Sequence, residues 1–263
     1  MKSRFDSLST ELIYEIFDYL TSSDIFLGFI GLNKSFNRIV RSYPIALDFQ
    51  QISRSKFDFI CQNLRPEQVH GLRLSEEFMP DQIKLLNSYF PRFDKEFLHL
   101  KTMEFSFIEG LDMNLPSSVS LLTVKKKFPT RKSKIFCEIL VRRQAQFLIY
   151  LQIDSINAMT PTHGLYHSRN ELMKYAPFKV LTHLIINEEC SFHDLDDRLR
   201  SIQLSSLVHL NISITNYHDI IDERFLEIYE EIFQMLSSLI SLKIKFGKYK
   251  SNLYPKVLFF FQI

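Results

Sequence analysis

One pattern recurs along most of this chain and limits its fold more than any other feature: apolar residues at relative positions 0, 3, 6 and 8. It fits Phe97, Leu100, Met103 and Phe105; Ala145, Leu148, Leu151 and Ile153; and Phe178, Leu181, Leu184 and Ile186. It fits again at Leu204, Leu207, Leu210 and Ile212, and at Leu236, Leu239, Leu242 and Ile244. Two looser copies begin on proline: Pro66, Val69, Leu72, Leu74 and Pro116, Val119, Leu122, Val124. The third positions run 72, 103, 122, 151, 184, 210 and 242, so the spacings are 31, 19, 29, 33, 26 and 32. The last two positions of each copy are two apart, the period of a strand with one buried face. Between copies the spacing turns helical, as in Ile83, Leu86 and Phe90; Ile135, Ile139 and Leu140; and Phe225, Ile228, Ile232 and Phe233.

A unit this short cannot bury its own hydrophobic face, whereas stacked units share a continuous core and a parallel sheet along one side. The expected fold class is therefore α/β, with an irregular solenoid over residues 66–263. A doubly wound α/β domain would show a similar alternation and stays open as the alternative. Glycine is scarce at six residues, which argues against glycine-rich phosphate loops and a turn-rich β sandwich. The core Leu-x-x-Leu-x-Leu resembles a leucine-rich repeat, best at Leu207, Leu210, Ile212 and at Leu239, Leu242, Ile244. That family places Asn or Cys three residues after the last of these. Here Asn157, Cys190 and Asn216 come four residues after, so the resemblance implies divergent repeats without an unbroken asparagine ladder. It also implies that target specificity lies in outward strand residues, with Asn211, Ser213, Lys243 and Lys245 as candidates.

The amino-terminal residues 1–50 show a different pattern. Ser9 or Thr10 suits a helix N-cap and Glu11 the first turn. Leu12, Ile13, Ile16, Phe17 and Leu20 then form one wide apolar stripe. Thr21 to Asp24 stops that helix and caps a second, carrying Ile25, Phe26, Phe29 and Ile30. A third starts near Asn33 and carries Phe36, Ile39 and Val40. Three short helices make a marginal core. The first stripe therefore either offers a surface to a partner or packs on the rest of the chain. Residues 51–65 read as a connecting helix, with Phe57, Ile60, Cys61 and Leu64 on one side and Ser53 or Ser55 as the cap.

The order of these residues resembles the F-box, a small helical docking module. Leu8 to Leu20 is similar to its Leu-Pro-x-Glu-Leu opening and Ile-Phe-x-Tyr-Leu helix, and Leu32 to Phe36 to its Val-Cys-Lys/Arg-x-Trp segment. Ser9 stands where the family has proline, and Phe36 where it has tryptophan. The resemblance implies docking to the Skp-family adaptor of a cullin-RING ubiquitin ligase, through Leu8, Leu12, Ile16, Phe17 and Leu20. Taken with the repeats, it makes the expected role that of a non-enzymatic substrate-recognition subunit of an SCF-type ligase with a protein target. The alternative is a repeat scaffold whose degenerate module engages no ligase.

Other chemistry finds little support. The catalytic motifs His-Glu-x-x-His, Gly-x-Ser-x-Gly and Cys-x-x-Cys and the P-loop are all missing. His163 and His167 share a helical spacing but lack further ligands nearby, so neither a metal nor a cofactor is expected. His183 and His209 fall inside repeat strands and read as structural. Cys61, Cys137 and Cys190 are far apart, which fits reduced thiols acting as small core hydrophobes. With no apolar leader, and with Val257–Phe261 too short to span a bilayer, a cytoplasmic or nuclear protein away from membranes is expected. The sequons at Asn33 and Asn211 then carry no meaning. Net charge is only +2. The basic stretch Lys125–Arg143 suits either a solvated face or an acidic or nucleic-acid partner, and nucleic acid is the less favoured.

Overall fold

The computed structural model describes residues 8–107, 113–126, 143–155, 178–187, 206–214, 240–246 and 258–262. The chain forms two compact units, Met1–Ser106 with Leu111–Ser118, and Phe107–Gly110 with Val119–Ile263. Both are built on parallel strands, and the fold class is α/β. The divisions expected at residues 50 and 65 fall inside the first unit.

The first unit opens with three short helices: α1 (Thr10–Phe17), α2 (Ser22–Phe29) and α3 (Lys34–Ser42). Each N-cap side chain accepts a backbone N–H three residues on: Ser9 from Leu12, Thr21 from Asp24 and Asn33 from Phe36. Such caps satisfy donors that a helix start leaves open. Phe17 lies at the centre, edge-on to Phe29 at 4.9 Å and to Tyr43 at 5.2 Å between ring centroids. The Tyr43 hydroxyl donates to the Asp18 carboxylate, and the hydroxyls of Tyr14 and Ser42 share a hydrogen bond of 2.8 Å, so α1 is tied to the end of α3 at two points.

These helices are packed into the rest of the unit. α2 rests on α4 (Arg54–Asn63) and on the first strand, β1 (Ile45–Asp48). Ser53 is the N-cap of α4; its side chain caps no backbone N–H, and its hydroxyl shares a hydrogen bond of 3.4 Å with that of Ser55. β1 pairs in parallel with β2 (Val69–Ser75), and β2 with β3 (Thr102–Ser106). Leu47, Leu72 and Met103 lie side by side across the three strands and are all buried. β1 therefore falls in register with the template strands although the template did not find it, because Arg41 and Pro44 occupy the first two positions. The β1–β2 register shifts between Ile45 and Ala46, where Ala46 faces Gly71. A Cβ on Gly71 would sit 3.2 Å from the Ala46 Cβ, so glycine permits this close approach.

Two further helices, α5 (Gln82–Tyr89) and α6 (Phe93–Glu96), lie between β2 and β3 in the chain. Gln82 is fully buried and joins separate parts of the unit: its Oε1 accepts the Ser75 N–H at 2.8 Å, and its Nε2 donates to the Phe49 carbonyl at 2.7 Å.

In the second unit, β4 (Leu121–Lys126), β5 (Tyr150–Ser155), β6 (His183–Asn187), β7 (His209–Ile214) and β8 (Ser241–Phe246) pair successively in parallel. Their register places Leu122, Leu151, Leu184, Leu210 and Leu242 in one row. The first four are buried, as are Leu148, Leu181 and Leu207, which take the preceding template position. The strand entries repeat a single backbone device: two successive N–H groups converge on one carbonyl of the previous strand or its entry. Ile149 and Tyr150 donate to Ser120, Thr182 and His183 to Ile149, Val208 and His209 to Thr182, and Ile240 and Ser241 to Val208. β9 (Leu258–Gln262) pairs antiparallel with β8 and takes up its outer edge. The inter-strand helical segments around Ile135 and Ile228 lie outside the described residues. No helix among the described residues is long and apolar enough to cross a membrane.

This packing predicts two losses of stability. Gln82→Leu keeps the volume but strands two buried backbone groups, so we expect a loss of about 2–6 kcal/mol in urea unfolding, at about 1–3 kcal/mol per group. Leu184→Ala opens a cavity in the leucine row and should cost about 2–5 kcal/mol in the same assay.

Candidate functional site

Two surfaces carry the residues singled out in the sequence. The first is the outer side of α1. A helix dictated only by its own core needs one apolar face, but α1 has two. Ile13 and Phe17 are buried, with about 1% of their surface left exposed, and Phe17 packs on Phe29 of α2 and on Tyr43 at the end of α3. Leu8, Leu12, Ile16 and Tyr19 line the opposite side, together with Glu15, around an open depression of about 270 Å³. Leu12 keeps 46% of its surface exposed and Tyr19 keeps 89%. The stripe predicted as one surface therefore splits: Leu8, Leu12, Ile16 and Leu20 are accessible, whereas Phe17 belongs to the interior and supports the surface from behind.

The electrostatics of this surface are acidic at the rim. Glu11 is exposed on α1, Glu15 lines the depression, and Asp18 lies at the end of the helix. The Glu11 carboxyl is held below its ordinary range by its own backbone N–H and then by the Ser9 hydroxyl. Ser9 thus serves the helix start twice, accepting from Leu12 and bonding Glu11. Tyr43, behind the helix, has its phenol pushed up to about 12 by burial and by Asp18, so it stays a hydrogen-bond donor throughout the physiological range. Sequence periodicity missed Tyr19 and Glu15, although positions 8, 12, 15, 16 and 19 form a second helical stripe beside the buried one.

The second surface is the half-exposed side of β4–β8. Residues there alternate with the buried leucines. Just before the leucine row, register aligns Leu121, Tyr150, His183, His209 and Ser241. The His183 and His209 rings stack at 4.4 Å between centroids, inclined by 28°, and Tyr150 leans on His183 at 6.1 Å. Beside them runs a hydrogen-bonded chain: the Tyr150 hydroxyl donates to Gln152 at 2.6 Å, the Gln152 amide to Asp154 at 2.8 Å and the Asn187 amide to Asp154 at 2.7 Å.

Of the predicted target residues, Asn211 is half-buried on this side, and its Oδ1 meets no donor among the described residues. Ser213, Lys243 and Lys245 occupy matching register positions, with Lys243 opposite Asn211 and Lys245 opposite Ser213; their side chains lie outside what is described. His183 and His209, expected to be structural because they lie within strands, share the open side with Asn211. The signal that places them there is the residue before each template leucine, read across copies rather than along one strand.

Cys61 is buried, and burial, reinforced by Asp58, pushes its thiol up to about 12, which makes it a core group without nucleophilic character at neutral pH. Among the described residues no cluster of three or more His, Cys, Asp or Glu side chains is placed to hold a metal ion. His163, His167, Cys137 and Cys190 lie outside the described residues, as do the basic residues from Lys127 to Arg142.

The two sides of α1 separate cleanly in a stability assay. Leu12→Ala should change unfolding free energy by less than about 0.5 kcal/mol, as for a surface substitution. Ile13→Ala should lose about 2–5 kcal/mol, as for a core truncation.

The chain matches no protein-family model. No curated protein matches its sequence.

Proposed function

We propose that this chain is the non-enzymatic substrate-recognition subunit of an SCF-type ubiquitin ligase. In this reading the three helices are an F-box-like module docking a Skp-family adaptor, and β1 to β8 are irregular leucine-rich repeats. The ligase assembly supplies the transfer chemistry, and this chain contributes proximity between target and ligase. The observation that carries the reading is the outward stripe of α1. Leu8, Leu12 and Ile16 remain available after Ile13 and Phe17 have satisfied the chain's own core. Apolar side chains gathered in a depression with a charged rim are what a partner helix or loop can bury.

The repeat half of the reading rests on register. Strands separated by 26 to 33 residues in the second unit present their template leucines in one row, as stacked units would. Ser9, in the place of the family's proline, has a local explanation as the N-cap of α1. Phe36, in the place of the tryptophan, is buried beside Phe29 and fills the module core.

The test is capture of a purified Skp-family adaptor by the full chain. Binding should fall at least about tenfold, or about 1.4 kcal/mol, in Leu12→Asp, while the circular dichroism of the variant stays unchanged. If the intact chain fails to bind the adaptor, or binds equally with Leu12→Asp, the ligase reading is wrong and the repeat-scaffold alternative takes its place.

A further inference from the structure

The stacked histidines on the second unit are a titratable pair in ring contact. The Thr182 hydroxyl donates to the Ile149 carbonyl at 3.2 Å, which can only accept. That carbonyl also accepts the Thr182 and His183 N–H groups, and the Thr182 oxygen shares a hydrogen bond of 2.8 Å with His183 Nδ1, which ties the ring to its strand entry. The His183 ring lies 4.4 Å from that of His209, a distance at which two imidazolium charges repel.

We propose that His183 and His209 act as a coupled proton-responsive pair on the open side of β5–β7: stacked while at most one is charged, and driven apart once both are. Acidification would then change both the charge and the shape of this surface. The use of such a response rests on the reading of this side as the target surface, but the titration itself does not.

The described residues around the pair are these. On β5, Tyr150 leans on His183, and Asp154 is engaged by Gln152 and Asn187. On β6 itself, Asn187 is neutral. Across β7, His209 aligns with Ser241 of β8, and Lys243 and Lys245 occupy later register positions on that strand. Lys125 on β4 aligns with Asp154. Among the described residues no carboxylate is aligned in the row of the two rings. Burial, and after it the His209 charge, holds His183 below the ordinary histidine range. A histidine depressed in this way binds its proton more readily in the unfolded chain. Its contribution to stability is therefore complete above the unfolded pKa and is lost as pH falls towards the folded one.

The experiment is an imidazole nitrogen NMR titration of the full chain from about pH 8 to about pH 5, the range in which histidines change charge. His183 should show a midpoint below that of an unperturbed histidine. His209→Gln should raise that midpoint, and His209→Phe, which keeps an aromatic ring without the charge, should raise it as well. In chemical unfolding, the full chain should lose more stability between those pH values than His183→Gln does. A midpoint unmoved by both His209 variants, or equal pH dependence of stability in His183→Gln, would overturn the proposal. None of these outcomes bears on adaptor capture through α1, so failure here leaves the ligase reading to its own test.

Discussion

The parallel strand pairing governs the rest of this structure. A parallel strand cannot close on its neighbour through a tight turn, so every copy of the template needs a crossover before the next strand begins. That requirement explains why the template recurs at intervals of 19 to 33 residues rather than every ten. It also explains the shared backbone device at the strand entries. From β5 to β8, each new strand starts by placing two N–H groups on a carbonyl at the entry of the strand before it, so each of these registers depends on the last. An error of one residue at any entry would turn a buried leucine outward and bring a polar neighbour in.

The helical module depends on the same economy of faces in a different form. α1 contributes Ile13 and Phe17 to a small aromatic core, held by Phe29 and Tyr43. The ties from Tyr14 to Ser42 and from Asp18 to Tyr43 fix its rotation. Once that rotation is fixed, Leu8, Leu12 and Ile16 have no interior left to enter. Their exposure results from packing geometry and not from a loose or poorly formed helix. The module is also joined to the strands of its own unit, because α2 rests on both β1 and α4.

The sequence made the repeat strands legible because two independent signals coincided at each. The apolar template marked the buried positions, and the constancy of its last two offsets marked the strand. Leu72 and Met103 in one unit, and Leu122, Leu151, Leu184, Leu210 and Leu242 in the other, fall in register as the template positions imply. β1 escaped because only the second half of its template is apolar; Leu47 and Phe49 are buried, but Arg41 breaks the start. The helix starts were legible to within a few residues, at Ser9 or Thr10, within Thr21 to Asp24 and near Asn33, and the capping residues are Ser9, Thr21 and Asn33. What periodicity could not supply was the division of α1 into two stripes, because offsets of one and four residues leave Ile13 and Ile16 equally eligible for burial. Only the partners Phe29 and Tyr43, distant in sequence, decide between them.

The open side of β4–β8 was hardest to read for a reason that applies to any stacked parallel sheet. Buried positions repeat, so each copy confirms the others, whereas outward positions differ from strand to strand and a single copy says nothing about its neighbour. His183 looked structural when viewed along its own strand, between Thr182 and Leu184. Its character emerges only across strands, where register brings Tyr150 to one side and His209 to the other. The same register aligns Gln152, Asn211 and Lys243 in the next outward row, with Ile185 among them. Chemistry on such a surface is written perpendicular to the chain. Its natural unit is a row across strands, and a substitution at one rung alters the environment of the two beside it.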